Sequence, residues 1–263
     1  MGIVNVTADS MFAGARSVTP ERAIADGAEL ARAGFDMLDV GAVAARSGPP
    51  VAAEEEAAAL EPALVGLREC GLPLSADTFS AAVAERALAA GAAAINDVGG
   101  GGAEMLELVA SSGCGYVLMH IEGPPREERP PPRYGDVVDH LRAWFAERLE
   151  AALARGVAEE QIVLDPGIDF DLPVEEGLEI LRRLEELHDL GRPLYVSLSR
   201  KDLIGALLAG SWEGRLPAEK REWGTVAACS LAVAAGAQIL RLHDRSALQA
   251  VRVAGRIAQP VGA

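Results

Sequence analysis

The chain has 263 residues, half of them hydrophobic, and a formal net charge of −15. That balance excludes general nucleic-acid binding and docking on anionic membranes, because both partners would be repelled. Cys70, Cys114 and Cys229 show no CxxC or Cys/His spacing, which argues against a disulfide framework or a cysteine-built zinc site, and no signal peptide or apolar run of about 18 residues occurs, so a soluble, cytoplasmic protein is expected.

An apolar strand over residues 3–6 opens the chain, and a polar loop follows to Val18. Thr19-Pro20 supplies an N-cap with Pro at the first helical position, which predicts a helix to about Ala33, closed by Gly34. A second strand covers 37–42, a small-residue loop reaches Pro50, and an acidic helix spans about 52–68. Gly71-Leu72-Pro73 introduces a third strand ending at Asp77, and Ser80 caps a helix to Ala90. A fourth strand covers 93–98 before a Gly run, then a helix over 103–111 leads to a fifth strand at 116–121. Residues 122–133 mix Pro, Glu and Arg and predict a mobile loop over one end of the molecule. An amphipathic helix over 136–155 precedes strand six at 162–164. Leu178, Leu181 and Leu184 form an i, i+3 stripe in a helix over 174–187. Strand seven at 194–198, a short helix, a charged segment over 211–222 and an Ala-rich helix to Ala235 lead to strand eight at 239–242 and a last helix over 246–257.

Eight strand–helix units without a linker predict a parallel sheet, and a chain of about 250 residues suits one closed barrel. The expected fold is a single-domain α/β (β/α)8 TIM barrel over residues 1–263. Catalytic groups in such barrels sit on the loops after the strands. Asp77, Asn96, Asp97 and Asp165 stand at predicted strand tips, as carboxylates and an amide suited to a heterocycle rich in N–H donors. Asp97, at the start of the Gly loop, fits a helix-capping or loop-holding role equally well. Ser199-Arg200-Lys201 and Arg241-Leu242-His243 follow strands seven and eight, the usual phosphate corner of a barrel. Arg241 and His243 are two apart and so share a face. Met119 could pack on a flat ligand or in the core, while His140 and His188 read as solvent-exposed helix residues. No P-loop, GxGxxG, HExxH or GxSxG motif occurs.

The ordered motifs Met1-Gly2-Ile3-Val4-Asn5-Val6-Thr7, Asp9-Ser10, Leu38-Asp39-Val40-Gly41, Ser75-Ala76-Asp77-Thr78, Ile95-Asn96-Asp97-Val98, Met119-His120, Asp165-Pro166-Gly167, Ser199-Arg200-Lys201 and Arg241-Leu242-His243-Asp244 resemble the dihydropteroate synthase family over nearly the whole chain. The resemblance implies a TIM-barrel homodimer that joins 6-hydroxymethyl-7,8-dihydropterin diphosphate to p-aminobenzoate with Mg²⁺ and releases diphosphate. It implies that Asp77, Asn96, Asp165 and Lys201 hold the pterin, with Met119 beside it. Asn5, Arg241 and His243 would bind the diphosphate, with Asn5 also on Mg²⁺, and Ser199 would lie near the aminobenzoate carboxylate. Asp9, Arg46 and Phe170 would complete the substrate pocket, and Asp77, Asp165, Lys201, Arg241 and His243 would carry the chemistry.

Three loops depart from the family pattern. Ala8 replaces a Pro, Met11-Phe12-Ala13-Gly14 lacks a second Asp, and after strand two Ala42-Val43-Ala44-Ala45-Arg46 keeps only the Arg of a Glu-Ser-Thr-Arg run. After strand six, Asp169 and Asp171 replace glycines and Leu172 replaces a Lys. Two added acids near Phe170 are expected to disfavour an incoming carboxylate by charge repulsion. That expectation leaves open an acceptor other than p-aminobenzoate, including water, and a pterin-binding paralogue with little or no synthase activity. A methyltetrahydrofolate-dependent methyltransferase domain would share the barrel but has no need of the Arg241–His243 corner.

Overall fold

The computed structural model describes residues 1–6, 17, 19–46, 48–127 and 130–258. The expectations placed on residues 7–16, Asp9 among them, and on Ser47 lie outside these. Eight strands run in parallel: β1 (Gly2–Asn5), β2 (Leu38–Gly41), β3 (Leu74–Asp77), β4 (Ala94–Asp97), β5 (Gly115–Met119), β6 (Ile162–Asp165), β7 (Tyr195–Val196) and β8 (Ile239–Leu240). β1 to β6 pair in sequence order and β7 pairs with β8. Two parallel bridges, Leu164–Leu194 and Gly2–Leu242, join the two sheets and close the ring. The seam is hydrogen-bonded: Leu242 N donates to Met1 O at 3.0 Å and Ile3 N to Leu242 O at 3.1 Å.

The last two strands are shorter than the apolar pattern predicts. Arg241 N still donates to Val196 O at 3.1 Å, but beyond this point the chain carries Ser197, Ser199, Arg241 and His243 into the barrel mouth rather than extending the ladder.

The helices are α1 (Pro20–Ala33), α2 (Ala53–Leu67), α3 (Ala81–Ala89), α4 (Ala103–Ser112), α5 (Val137–Ala154), α6 (Val174–Arg182), α7 (Asp202–Ala209), α8 (Glu222–Ala234) and α9 (Arg245–Ala258). Local chemistry explains their ends. Thr19 Oγ1 accepts from Arg22 N at 3.3 Å, and Gly34 closes α1 with φ of 94°, where a side chain would be strained. Asp136 caps α5 by accepting from Val138 N and Asp139 N at 2.9 and 3.0 Å. The single helix expected over 174–187 divides. α6 stops at Arg182, and a 3-10 run, Leu184–Leu190, follows. Leu184 and Leu187 are both fully buried, and an i, i+3 pair eclipses on one face of a 3-10 turn.

Strand alternation sends the apolar residues to the two faces of the sheet. Leu38, Leu118 and Leu164 point outward with Leu60, Leu64 and Leu67 of α2, in the shell between barrel and helices. Met1, Val117 and Tyr195, with Met37, Val163 and Ile239, plug the barrel interior below the mouth.

Asp97 belongs to the outward set. Its carboxylate accepts from Gly99 N at 2.7 Å, Gly101 N at 3.0 Å and the Tyr116 hydroxyl at 2.6 Å. It therefore holds the Gly loop and not a ligand. Asp97→Ala is expected to lower stability by about 2–4 kcal/mol, since three donors in buried surroundings lose their acceptor. Urea denaturation checks this, and a loss below about 0.5 kcal/mol would contradict it.

The loop after β5 is pinned where its composition predicted mobility. Arg126 N donates to Ala45 O at 3.1 Å, and its guanidinium donates to Ala44 O and Pro49 O. This ties it to the loop after β2.

Candidate active site

Parallel register aligns Asn5, Gly41, Asp77 and Asn96 as one layer of inward-facing residues at the C-terminal ends of their strands. Above this layer lies a cavity of about 190 Å³, lined by Asn5, Arg46, Asp77, Phe170, Ser199, Lys201, Arg241 and His243. It adjoins a narrow slot of about 20 Å³ lined by Asn96, Met119, Asp165, Phe170, Lys201 and Arg241. Every described residue that the family resemblance assigns to the site lines one or both spaces. Larger hollows of about 600 and 590 Å³ lie on the outside, against α6 and α7 and beyond the Gly loop after β4. Neither gathers the acids, amide and cations of the strand ends.

Charge in the site is organised around Arg241. Its Nε donates to Asp39 Oδ2 at 2.7 Å and its Nη2 to Asp77 Oδ2 at 2.5 Å. Burial opposes the guanidinium charge, but the Asp39 and Asp77 carboxylates outweigh it and raise the pKa further. Asn96 Nδ2 donates to Asp39 Oδ2 at 2.9 Å, leaving Asn96 Oδ1 buried and unpartnered among the described residues. An orphaned acceptor in a slot is a place for a ligand N–H. Burial pushes the Asp77 carboxyl up to about 7, with Arg241 opposing and Asp39 adding. Burial likewise pushes Asp165 up to about 6, although Gly167 N donates to its Oδ1 at 2.9 Å and Lys201 and Arg241 oppose the rise. Gly167 is required here: its φ is 67°, and a Cβ would collide with the carbonyl oxygen of His120.

Lys201 is buried, donates to Ile168 O at 3.3 Å and lies 4.8 Å from the Phe170 ring centroid. Burial lowers its pKa, with Asp169 and Asp165 pulling the other way. Its neighbour Arg200, grouped with it by sequence, turns away from the cavity. With φ of 56°, Arg200 forms a bidentate pair with Asp244 at 2.8 and 2.7 Å and donates to Ala218 O at 2.8 Å. It braces the corner rather than lining it.

His243 is held by Ser199. The Ser199 hydroxyl accepts from His243 N at 3.1 Å and lies 2.9 Å from Nδ1. Assigning the Ser199 hydroxyl proton to the Nδ1 contact leaves the ring proton on Nε2, a tautomer assigned from the network and not observed. Burial, then Arg241, Arg200 and Lys201, push the imidazole down to about 3, so it is neutral near pH 7.

The divergent loop after β6 is wired differently from the charge-repulsion expectation. Asp169 is buried, and its oxygens accept from Asp202 N at 2.8 Å and Leu203 N at 3.2 Å. It caps α7, whose own N-cap position is Lys201 with no capping side chain. Arg46 lies 3.7 Å from Asp169 and 3.3 Å from Asp202. Asp169 still borders the cavity, but its charge is engaged by helix amides and a guanidinium. Asp171 lines the outer groove against α6, and Leu172 is buried beside it. Both Asp169 and Asp171 have positive φ, 70° and 58°, a conformation that Gly adopts freely and Asp tolerates.

Sequence reasoning missed Asp39 as a site residue. It is fully buried one layer below the mouth and anchors both Arg241 and Asn96. The signal was an acid alternating with apolar neighbours inside a buried strand.

A closed parallel barrel with acids, an amide and two cations at its strand ends is an enzyme architecture built to hold a polar, flat ligand beside an anion. The family described as pterin binding enzyme matches residues 1–243. The dihydropteroate synthase of Synechocystis sp. is 38% identical over 252 residues, covering 94% of this chain and 86% of that protein. The Xanthomonas albilineans dihydropteroate synthase with 4-aminobenzoic acid superposes with a TM-score of 0.87 at 39% identity, over 99% of this chain and 93% of that one. The same enzyme in complex with 7,8-dihydropteroate gives 0.85 at 39% identity, over 99% and 94% of the two chains. The chain belongs to the pterin-binding enzyme family, among its dihydropteroate synthases.

Proposed function

We propose that this chain transfers the pterin methylene of 6-hydroxymethyl-7,8-dihydropterin diphosphate to p-aminobenzoate, releasing diphosphate. One observation carries the reading: the slot of Asn96, Asp165 and Lys201 opens directly into the cavity holding Arg241 and His243. Asp165 faces the two N–H donors of the pterin's guanidine-like edge, a charge-assisted pair, and the orphaned Asn96 Oδ1 accepts a further N–H. Lys201 donates to the ring's acceptor edge, and Phe170 and Met119 pack on its faces.

The C–O bond between methylene and diphosphate breaks with its electron pair leaving on oxygen. Asp77 and Asp165 then face the cationic pterin, and Arg241 and neutral His243 donate to the departing diphosphate. The amine lone pair of p-aminobenzoate forms the new C–N bond, and the arylammonium loses a proton to water. Arg46, which lines the cavity, meets the aminobenzoate carboxylate in this reading, and Ser199, which the resemblance sets near that carboxylate, serves instead by orienting His243.

Asn5, which lines the cavity beside Arg241 and His243, would hold Mg²⁺ there, since Mg²⁺ takes few protein oxygens plus phosphates. Bound there, it would neutralise charge on the leaving group. We also propose a homodimer, supported by exposed Trp223 and Leu231 on α8 with Val253 and Ile257 on α9, to be tested by light scattering. Cytoplasmic residence is part of the proposal, supported by three free thiols; among the described residues no helix is long and apolar enough to cross a membrane.

The test is direct: with Mg²⁺, both substrates and purified protein, dihydropteroate and diphosphate should form in equal amounts. Tight pterin binding without dihydropteroate would overturn the synthase reading. The raised carboxyls add a pH signature. Both must be ionised to face a cation, so kcat/KM should fall by about tenfold per pH unit on acidification through Asp77 near 7, and more steeply below Asp165 near 6. Asp77→Asn should abolish the upper limb; an unchanged profile would contradict the assignment.

A further inference from the structure

A second cluster of ligating side chains lies outside the barrel mouth, between the end of β5 and α5. Alternation sends Met119 into the slot and His120 outward, where His120 is buried. Glu122 follows two residues later, and α5 brings His140 in from its first turns. Glu122 Oε1 lies 3.2 Å from His120 Nε2 and 2.6 Å from His140 Nε2. The three ligand atoms all fall within 4.8 Å of one another.

One contact, His120 Nε2 with Glu122 Oε1 at 3.2 Å, is an ordinary hydrogen-bonded pair, but the other is not. His140 Nε2 is buried and makes no hydrogen bond among the described residues, despite its 2.6 Å approach to the carboxylate. The two atoms converge without donor–acceptor alignment, as two ligands of one cation do. Tyr134 donates to the same Glu122 oxygen at 2.9 Å and so orients the carboxylate. Trp144 stacks edge-on to His120 at 5.0 Å, and Tyr134 lies 4.4 Å from the His140 ring, giving the cluster an aromatic wall.

We propose that His120, Glu122 and His140 bind a divalent transition-metal ion of the zinc class and so clamp the loop after β5 to α5. Two imidazoles and one carboxylate are a zinc-class donor set, whereas Mg²⁺ and Ca²⁺ take oxygen ligands. Three protein ligands leave a fourth position for water. The site is separate from the diphosphate corner and does not depend on the proposed transferase activity. Its placement one residue beyond Met119 links the bound ion to the strand end that lines the slot.

The test uses the full chain, stripped with chelator, its thiols alkylated, and titrated with Zn²⁺ by calorimetry and with Co²⁺ by visible absorption. The expected result is one ion per chain, a four-coordinate Co²⁺ spectrum and a higher Tm with saturating Zn²⁺. His140→Ala and Glu122→Gln, both at half-exposed side chains, should each weaken binding by more than about tenfold while leaving the circular dichroism spectrum of the metal-free protein unchanged. No binding by about 100 µM Zn²⁺, or binding indifferent to both substitutions, would overturn the site and leave a polar cluster only.

Discussion

Arg241→Met should destabilise the protein by about 3–5 kcal/mol near neutral pH, the cost of removing one partner from a buried ion pair. The reason is local. Arg241 is the cation shared by Asp39 and Asp77, and Asp39 is fully buried with one oxygen already unpartnered among the described residues. Without the guanidinium, both carboxylates stay inside the barrel uncompensated. Protonation relieves this, so the loss depends on pH. Asp77 already titrates near 7 in the folded chain, above its ordinary value of 3.8, with Arg241 holding it down. Removing Arg241 raises it further. The folded variant then binds a proton that the unfolded chain has released, and its stability falls as pH rises. The gap between wild type and variant should therefore widen from pH 6 to pH 8.5 in urea denaturation. Equal stability at both pH values would sink this account. Asp39→Asn combined with Arg241→Met should recover part of the loss, since it removes the fully buried charge.

Asp165→Asn is the second large effect, and it separates binding from folding. Asn keeps one acceptor for the Gly167 amide but presents a donor where the pterin edge also donates. Losing the charge and opposing two donors should lower kcat/KM by about 10²–10³, or about 3–4 kcal/mol. The fold should not suffer alongside. Burial pushes the Asp165 carboxyl up to about 6, which means the native state disfavours its charge. The neutral variant should therefore be as stable as wild type, or more so, above pH 7, and the difference should vanish as pH falls below about 4. Calorimetric titration with the pterin substrate and parallel urea curves check both halves. Unchanged pterin affinity, or a large loss of stability at pH 8, would show Asp165 to be a structural group instead.

Much of this site was legible without coordinates. An apolar run that ends in an acid is a buried strand meeting a loop, and eight such runs alternating with helices leave a closed barrel as the economical arrangement. Strand periodicity then gives each tip residue a face, which is why Asn5, Asp77, Asn96, Asp165, Arg241 and His243 could be grouped from spacing and resemblance and are found on the same cavities. Chain order also identified the helix caps at Thr19 and Ser80, because capping is a contact between residues two or three apart.

What depended on distant contacts could not be read in that way. Asp39 looked like a strand residue until the barrel closed and brought Arg241 across to it from the other end of the chain. Asp97, a strand-tip acid that fits either role by sequence, is a loop anchor because Tyr116 and two glycine amides reach it. Asp169 read as a repelling charge, but the fold sets it against the N-terminus of α7 and beside Arg46. Arg200 shares the Ser199-Arg200-Lys201 motif of the phosphate corner, but the fold turns it to Asp244. His120 and His140 stand twenty positions apart and acquire a common partner in Glu122 only when α5 packs on the end of β5. Periodicity and local chemistry therefore determined the elements and the faces their side chains occupy. The tertiary structure decided which charges meet, because a carboxylate's role is set by the donors that surround it in space and not by its neighbours in the chain.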